Sequence, residues 1–186
     1  MQTKIAVFLD QNGTLFDESN GEYAPVTSES FFPGTIQTLQ KIQRAGVLLF
    51  IVTNQSSVGL GRIEKEFALR FNDDIRSVLA DAGITIQETF SCMHTKAENC
   101  SCRKPQPYFL KLASEKYGLS LADSFVIGDH PHDVELADNA GATGLYVLTG
   151  HGTKHRGELT KPYFVFQMVS DALEYIYKTR IFYESV

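Results

Sequence analysis

The sequence predicts an α/β fold in three layers, a mostly parallel sheet with helices on both faces. Three observations predict it. Short, wholly apolar runs alternate with segments of helical period from end to end. Several of those runs stop abruptly at a polar residue, as strands covered on both faces do. The chain of 186 residues is 43% hydrophobic and 21% charged, which suits one domain spanning 1–186 and excludes a disordered chain.

Ile5 to Leu9 is the first apolar run, and it stops at Asp10. Residues 14–33 are rich in Asp, Glu, Ser, Asn and Gly and read as a long loop or flap. Ile36, Leu39 and Ile42 recur at helical spacing, and Ala45-Gly46 ends that helix. Val47 to Val52 is a second buried strand, ending at Thr53-Asn54-Gln55. Ile63, Phe67, Phe71, Ile75 and Val78 predict a long helix that buries Phe67, Phe71 and Ile75 and closes at Gly83. Thr85 to Phe90 is a third strand, and Pro107 to Tyr117 a helix stopped by Gly118. Ser124 to Ile127 is a fourth strand, ending at Gly128-Asp129. A short helix from Val134 to Ala140 stops at Gly141, and Gly144 to Leu148 is a fifth strand. Tyr163 to Phe166 reads as an edge strand, and Val169 to Tyr177 as a final amphipathic helix. No internal repeat or dividing linker interrupts this order.

The formal net charge is −5, from 17 basic and 22 acidic residues, and the pI is near 5.5. Broad binding to nucleic acid or to an anionic membrane demands the opposite sign. An anionic ligand must therefore be held by a local site. No apolar run approaches the ~20 residues of a membrane span. Met1-Gln2-Thr3-Lys4 leads into the first strand without a signal-peptide pattern, so the expected compartment is the cytoplasm.

In open α/β sheets a ligand site lies beyond the carboxyl ends of the strands. That rule groups Asp10, Asn12, Thr53, Asn54 and Asp129, which are far apart in sequence. A carboxylate at Asp10 suits a nucleophile, a metal ligand or a capping group, and Asn12-Gly13 is also a common turn dipeptide. Thr53-Asn54-Gln55-Ser56 supplies hydroxyl and amide donors. Asp129 and Asp133 stand four residues apart, where a helix N-terminus also favours acids. Lys104, beside Arg103 and Pro105, can bring a positive charge to the same end of the sheet.

All three cysteines lie within residues 92–102, in the pattern C-x-H-x₅-C-x-C. Cys92, His94, Cys100 and Cys102 are the donor set of a closed, structural Zn²⁺ site. The intervening Thr95 to Asn99 carries little apolar content, so metal would supply order that packing cannot. With no coordination position left open, that zinc would not be catalytic.

Asp10-x-Asn12-Gly13-Thr14, Thr53, Lys104 and Gly128-Asp129-x-x-x-Asp133 resemble, in order, the four motifs of haloacid dehalogenase-superfamily phosphatases. The resemblance covers residue 5 to about 150 and implies a Rossmann-like fold. It implies that Asp10 attacks phosphorus and forms an aspartyl-phosphate. It implies Mg²⁺ held by Asp10, Asp129 and the main-chain carbonyl of Asn12. Thr53, Asn54 and Lys104 would take the transferring oxygens, with Asp133 orienting Lys104 or a metal-bound water. The Cys/His element followed by Arg103-Lys104-Pro105, with Thr53 to Ser56 and Phe31-Phe32-Pro33-Gly34, is similar to the capless branch holding D-glycero-D-manno-heptose-1,7-bisphosphate phosphatases and histidinol phosphatases. No insert large enough for a cap domain is visible, in keeping with that branch. Arg103 is its implied substrate contact, while His130 stands where the branch commonly has Lys, and Met93 where it has Pro. The zinc would fix the loop presenting Arg103 and Lys104.

The family's first motif is usually Asp-x-Asp-Gly-Thr, its second Asp giving and then taking the proton. Asn12 cannot move that proton. A slow phosphatase, a phosphate-binding protein without catalysis and an introduced substitution are three readings of Asn12. The expected ligand is a small phosphorylated metabolite, a heptose bisphosphate first and histidinol phosphate second. The expected state is a monomer or weak homodimer. His151 and His155 read as a solvated loop or a basic rim, and His132 as a surface residue or a group titrating near the metal. Tyr175, Tyr177, Phe182 and Tyr183 form an aromatic tail, packed on the last helix or meeting a second copy.

Overall fold

The structure is a computed structural model that describes residues 4–18 and 21–182. The expectations for Met1, Gln2, Thr3 and Tyr183, and for the side chain of Phe182, lie outside the described residues. In chain order the elements are β1 (Ala6–Leu9), α1 (Thr35–Arg44), β2 (Leu48–Asn54), α2 (Ser56–Gly59), α3 (Lys65–Asp81), β3 (Ile86–Cys92) and α4 (Tyr108–Tyr117). They continue as β4 (Phe125–Gly128), α5 (Pro131–Ala140), β5 (Thr143–Val147), α6 (Gly152–His155), β6 (Phe164–Phe166) and α7 (Val169–Ile176). The six strands form one sheet in the order β3-β2-β1-β4-β5-β6, and every pairing is parallel.

Strand alternation divides the core in two. Val7 and Leu9 of β1 point to the face covered by α1, α3 and α7, joining Leu39, Ile75 and Leu173. Ala6 and Phe8 point to the other face, joining Leu110 of α4 and Leu136 of α5. Both faces of β1 are therefore buried, which is why its residues form an unbroken apolar run. On the second face Phe50 stacks on Phe8 at 5.1 Å and on Phe90 at 6.2 Å, and meets Tyr117 edge-on at 5.0 Å.

The long helix rotates away from its expected phase. Its buried row is Ala68, Phe71, Asn72, Ile75 and Leu79. Phe67 is 43% exposed, not core. Its ring meets Tyr23 of the flap edge-on at 5.9 Å. α5 begins three residues before the apolar period does, because Pro131 stands at its first position and His130 with Asp133 forms a capping box. β3 extends to Cys92, so the Cys/His segment starts on a strand. Tyr175 and Tyr177 pack against the first core face. Among the described residues, no helix is long and apolar enough to cross a membrane.

Phe50 is fully buried among three aromatic rings, so truncation leaves a cavity that neighbours cannot fill. Phe50→Ala is expected to cost about 3–5 kcal/mol in urea unfolding; a loss under about 1 kcal/mol would show that this stack does not organise the second core.

Candidate active site

The strand order reverses at β1, whose neighbours β2 and β4 lead away in opposite directions. Loops leaving β1 and β4 diverge there and open a crevice at the carboxyl ends. Leu9 is in register with both Ile51 and Ile127, so Asp10, Thr53 and Asp129 emerge close to the same level. The crevice is a cavity of about 260 Å³. It is lined by Asp10, Asn12, Thr53, Asn54, Gln55, Arg103, Lys104, Asp129, His130 and Asp133 among the expected residues. Glu18, Glu22, Tyr23, His132 and His151 line it as well. Ser56 is not in the lining; its hydroxyl accepts from Arg103 Nη1 at 2.5 Å.

Lys104 is the electrostatic centre. It is 6% exposed, and its Nζ donates to Asp10 Oδ1 at 2.5 Å and to the carbonyl of Val52 at 2.9 Å, with Asp133 Oδ1 at 2.7 Å. Burial disfavours its charge, but Asp10 and Asp133 outweigh burial and hold the ammonium above the usual lysine range. Its main chain is fixed from β2: Asn54 accepts from Lys104 N at 3.1 Å and donates to Lys104 O at 3.3 Å.

The carboxylates of Asp10, Asp129 and Asp133 offer oxygens within 4.8 Å of one another. Thr14 Oγ1 lies 3.2 Å from both Asp10 Oδ2 and Asp129 Oδ1, and the main-chain N–H of His151 donates to Asp129 Oδ2 at 2.7 Å. Asp133 Oδ2 accepts from His130 N at 3.0 Å. Burial, then the charges of Asp10 and Asp133, push Asp129 up to about 8. Burial also raises Asp133, to about 6, against the pull of Lys104. Fully ionised, three carboxylates facing one ammonium leave two negative charges, the complement of one divalent cation with a preference for oxygen. The donor set therefore fits a hard metal ion.

Asn12 turns its amide toward the flap. Nδ2 donates to Glu18 Oε2 at 3.2 Å and to Glu22 O at 2.9 Å. Glu18 Oε1 lies 2.7 Å from His151 Nε2, and Glu22 Oε2 accepts from Ser57 at 2.6 Å. The flap is thereby tied to β1, to α2 and to the segment after β5. The ring of His151 lies 5.9 Å from that of His155, which is 4.8 Å from His130, and His130 stacks on His132 at 4.4 Å between centroids. Burial, helped by the charges of His132 and His155, pushes His130 down to about 4, and burial lowers His132. His130 therefore presents a neutral imidazole to the cavity at pH 7, where a lysine would carry charge.

The four donors expected for zinc converge. Cys92 Sγ lies 3.5 Å from Cys100 Sγ and 3.3 Å from Cys102 Sγ, and Cys100 is 3.5 Å from Cys102. His94 Nδ1 lies 3.7 Å from Cys92 and 3.3 Å from Cys102. All three thiols are free, at separations far beyond the ~2.05 Å of a disulfide. This cluster can hold a metal ion. It sits against α2, where a Cβ on Gly59 would collide with the main chain of Met93 and Thr95. Arg103 Nη1 donates to His94 O at 3.3 Å, linking the cluster to the cavity.

Sequence reasoning left out Glu18, Glu22 and Tyr23, read His151 as a solvated loop or a basic rim, and gave no role to the glycines around Asp129. A Cβ on Gly13 or Gly150 would collide with the Asp129 carboxylate, and one on Gly128 with the Asp133 side chain. The Gly13 and Gly150 positions also have φ values of 77° and 52°. Two acids four residues apart after a buried strand, the first preceded by glycine, were the available signal for this crowding.

A family model described as HAD-hydrolase-like matches residues 101–172. The "Histidine biosynthesis bifunctional protein HisB" of Campylobacter jejuni subsp. doylei is 35% identical over 147 residues, 78% of this chain and 42% of that protein. The chain thus spans about two-fifths of the HisB proteins it matches. A "probable D-glycero-D-manno-heptose-1,7-bisphosphate 7-phosphatase" of Thermoplasma acidophilum is 34% identical over 75% of this chain and 88% of that protein. A crystal structure of D,D-heptose 1,7-bisphosphate phosphatase from B. bronchiseptica, complexed with magnesium and phosphate, superposes with a TM-score of 0.81 at 24% identity, covering 94% of this chain and 98% of that one. The chain belongs to the HAD-like hydrolase family.

Gly128→Ala should push Asp133 off Lys104, at a cost of about 1–3 kcal/mol for the overpacked site. The thermal midpoint should fall about 2–4 °C for each of those kcal/mol. An unchanged midpoint would mean that Asp133 is free to move.

Proposed function

We propose that this protein is a Mg²⁺-dependent phosphomonoesterase acting on a small phosphorylated metabolite, of the heptose 1,7-bisphosphate type, through an aspartyl-phosphate on Asp10. One observation carries the reading: a buried ammonium lies between Asp10 and Asp133 at the mouth of the crevice, with Asp129 beside them. Asp10, Asp129 and the main-chain carbonyl of Asn12 would hold Mg²⁺. When bound, the cation would neutralise the acidic cluster and draw phosphate oxygens to it.

The chain's own residues do the rest. Asp10 is the nucleophile because it ends a rigid, doubly buried strand and faces the cavity. Lys104 and the donors of Thr53 and Asn54 take the transferring oxygens as charge redistributes. Asp133 keeps Lys104 in place and charged. Arg103, braced by Ser56 and His94, meets the remainder of the substrate. The relationship to the heptose-bisphosphate phosphatases supports a sugar phosphate. The 35% identity to HisB favours histidinol phosphate as the second substrate to assay.

The soft-donor cluster is a structural zinc site. Zinc with sulfur at about 2.3 Å needs sulfur–sulfur edges of about 3.8 Å. The edges here are 3.3–3.5 Å, so the thiols need to part by at most about half an ångström. Burial raises Cys92 to about 12, an obstacle to the thiolate that a bound cation removes.

Two outcomes follow from these assignments. Turnover of sugar phosphates should be slow, require Mg²⁺ and vanish with a chelator, because Asn12 cannot act as general acid or base. Asn12→Asp, assayed alone and with Glu18→Gln to relieve repulsion, should raise kcat by ~10²–10⁴-fold; equal rates would refute the proton-transfer argument, and an Asp10→Asn variant as fast as the parent would refute the nucleophile. Separately, Cys100→Ser should reduce bound zinc, measured by atomic absorption, and increase proteolysis between residues 92 and 104. Undiminished zinc content would remove Cys100 from the site.

A further inference from the structure

Asn72 stands in the buried row of α3 with Ala68, Phe71, Ile75 and Leu79, a polar residue at 4% exposure among apolar ones. Every hydrogen-bonding position of its amide is used. Oδ1 accepts from Gln11 Nε2 at 3.1 Å and from Gln55 Nε2 at 3.0 Å. Nδ2 donates to Gln55 Oε1 at 3.0 Å and to Ser91 Oγ at 2.9 Å. Gln11 is fully buried and Gln55 3% exposed, so water cannot replace these bonds without rearrangement.

Its three partners belong to the carboxyl ends of three adjacent strands. Gln11 lies between Asp10 and Asn12. Gln55 follows Asn54, which holds the main chain of Lys104. Ser91 precedes Cys92, and Gln55 N donates to Cys92 O at 2.7 Å. One amide thus connects the nucleophile's loop, the segment that holds the lysine, and the strand that opens the metal-binding segment. Stability alone does not call for it, since well-packed apolar residues commonly replace a buried polar cluster at little cost.

We propose that Asn72 is a positioning residue: it sets the Asp10–Asn12 segment and the Asn54-anchored Lys104 in mutual register, and ties both to the Cys/His cluster. The inference rests on the phosphatase reading for its chemistry, but its geometry is independently measurable. Asn72 is absent from the cavity lining, so it acts through Gln11, Gln55 and Ser91.

Two variants separate hydrogen bonding from shape. Asn72→Leu keeps the volume and removes every bond. Asn72→Asp keeps acceptors that Gln11, Gln55 and the Ser91 hydroxyl can all donate to. Each is measured for kcat and KM with p-nitrophenyl phosphate, for Mg²⁺ affinity by calorimetry and for thermal midpoint. With Asn72→Leu, kcat and Mg²⁺ affinity should each fall about 10–100-fold, with KM little changed. Asn72→Asp should recover most of that loss even though its midpoint is lower. A Leu variant within about twofold of the parent in kcat and Mg²⁺ affinity overturns the proposal, as does a Leu variant that outperforms Asp. Should the Leu variant not fold, Gln11→Leu is read in its place by the same criteria. A parent that binds Mg²⁺ yet hydrolyses nothing refutes the phosphatase reading, and the ranking of Mg²⁺ affinities still decides the role of Asn72.

Discussion

The site is organised around a charge that is almost wholly buried. Lys104 could not stay an ammonium at 6% exposure without the carboxylates of Asp10 and Asp133 against it. Burial raises both Asp133 and Asp129, and the charge of Lys104 draws Asp133 back down. The fold supplies the rigidity this requires: Asp10 leaves a strand buried on both faces, Asp133 is fixed in the first turn of α5, and the main chain of Lys104 is clasped by Asn54.

That balance explains how a cavity with three carboxylates can serve a phosphate. On its own the cluster repels anions, and Lys104 is already committed to Asp10 and Asp133. A divalent cation held there would reverse the sign of the field at the point where the proposed phosphate substrate would arrive. The Cys/His cluster works at a distance from this exchange. Through His94 and Arg103 it braces a guanidinium at the rim, and through Cys92 O and Gln55 it meets the floor of the crevice. Those contacts brace the cationic side of the cavity.

The parts legible in the sequence were those written in local patterns. Strand ends at Asp10, Thr53 and Asp129 follow from apolar runs that stop at polar residues, and all four soft donors lie within 11 residues. Parallel pairing then brings the strand ends together. What escaped notice depends on contacts between distant segments. Phe67 fits the apolar period of α3, but the helix is rotated so that Ala68 and Asn72 face inward. His151 contributes its main chain to Asp129, which no residue type advertises. Glu18 and Glu22 belong to a flap whose composition suggests only solvent exposure. Asn72 looks like an interruption of an apolar face until Gln11, Gln55 and Ser91 are placed around it.

The flap gives Asn12 a physical role beyond the proton it lacks. Its amide donates to the Glu18 carboxylate and to the carbonyl of Glu22, two acceptors that need a donor between them. An ionised carboxylate at position 12 would present a third acceptor and repel Glu18. The amide therefore holds the flap against the cavity, with Glu22 secured to Ser57 and Glu18 beside His151. Position 12 faces a choice between moving a proton and fastening this loop, because one side chain cannot be both a permanent donor to Glu18 and a base for water. In this chain the amide fastens the loop, and the proposed slow turnover would follow from the same choice.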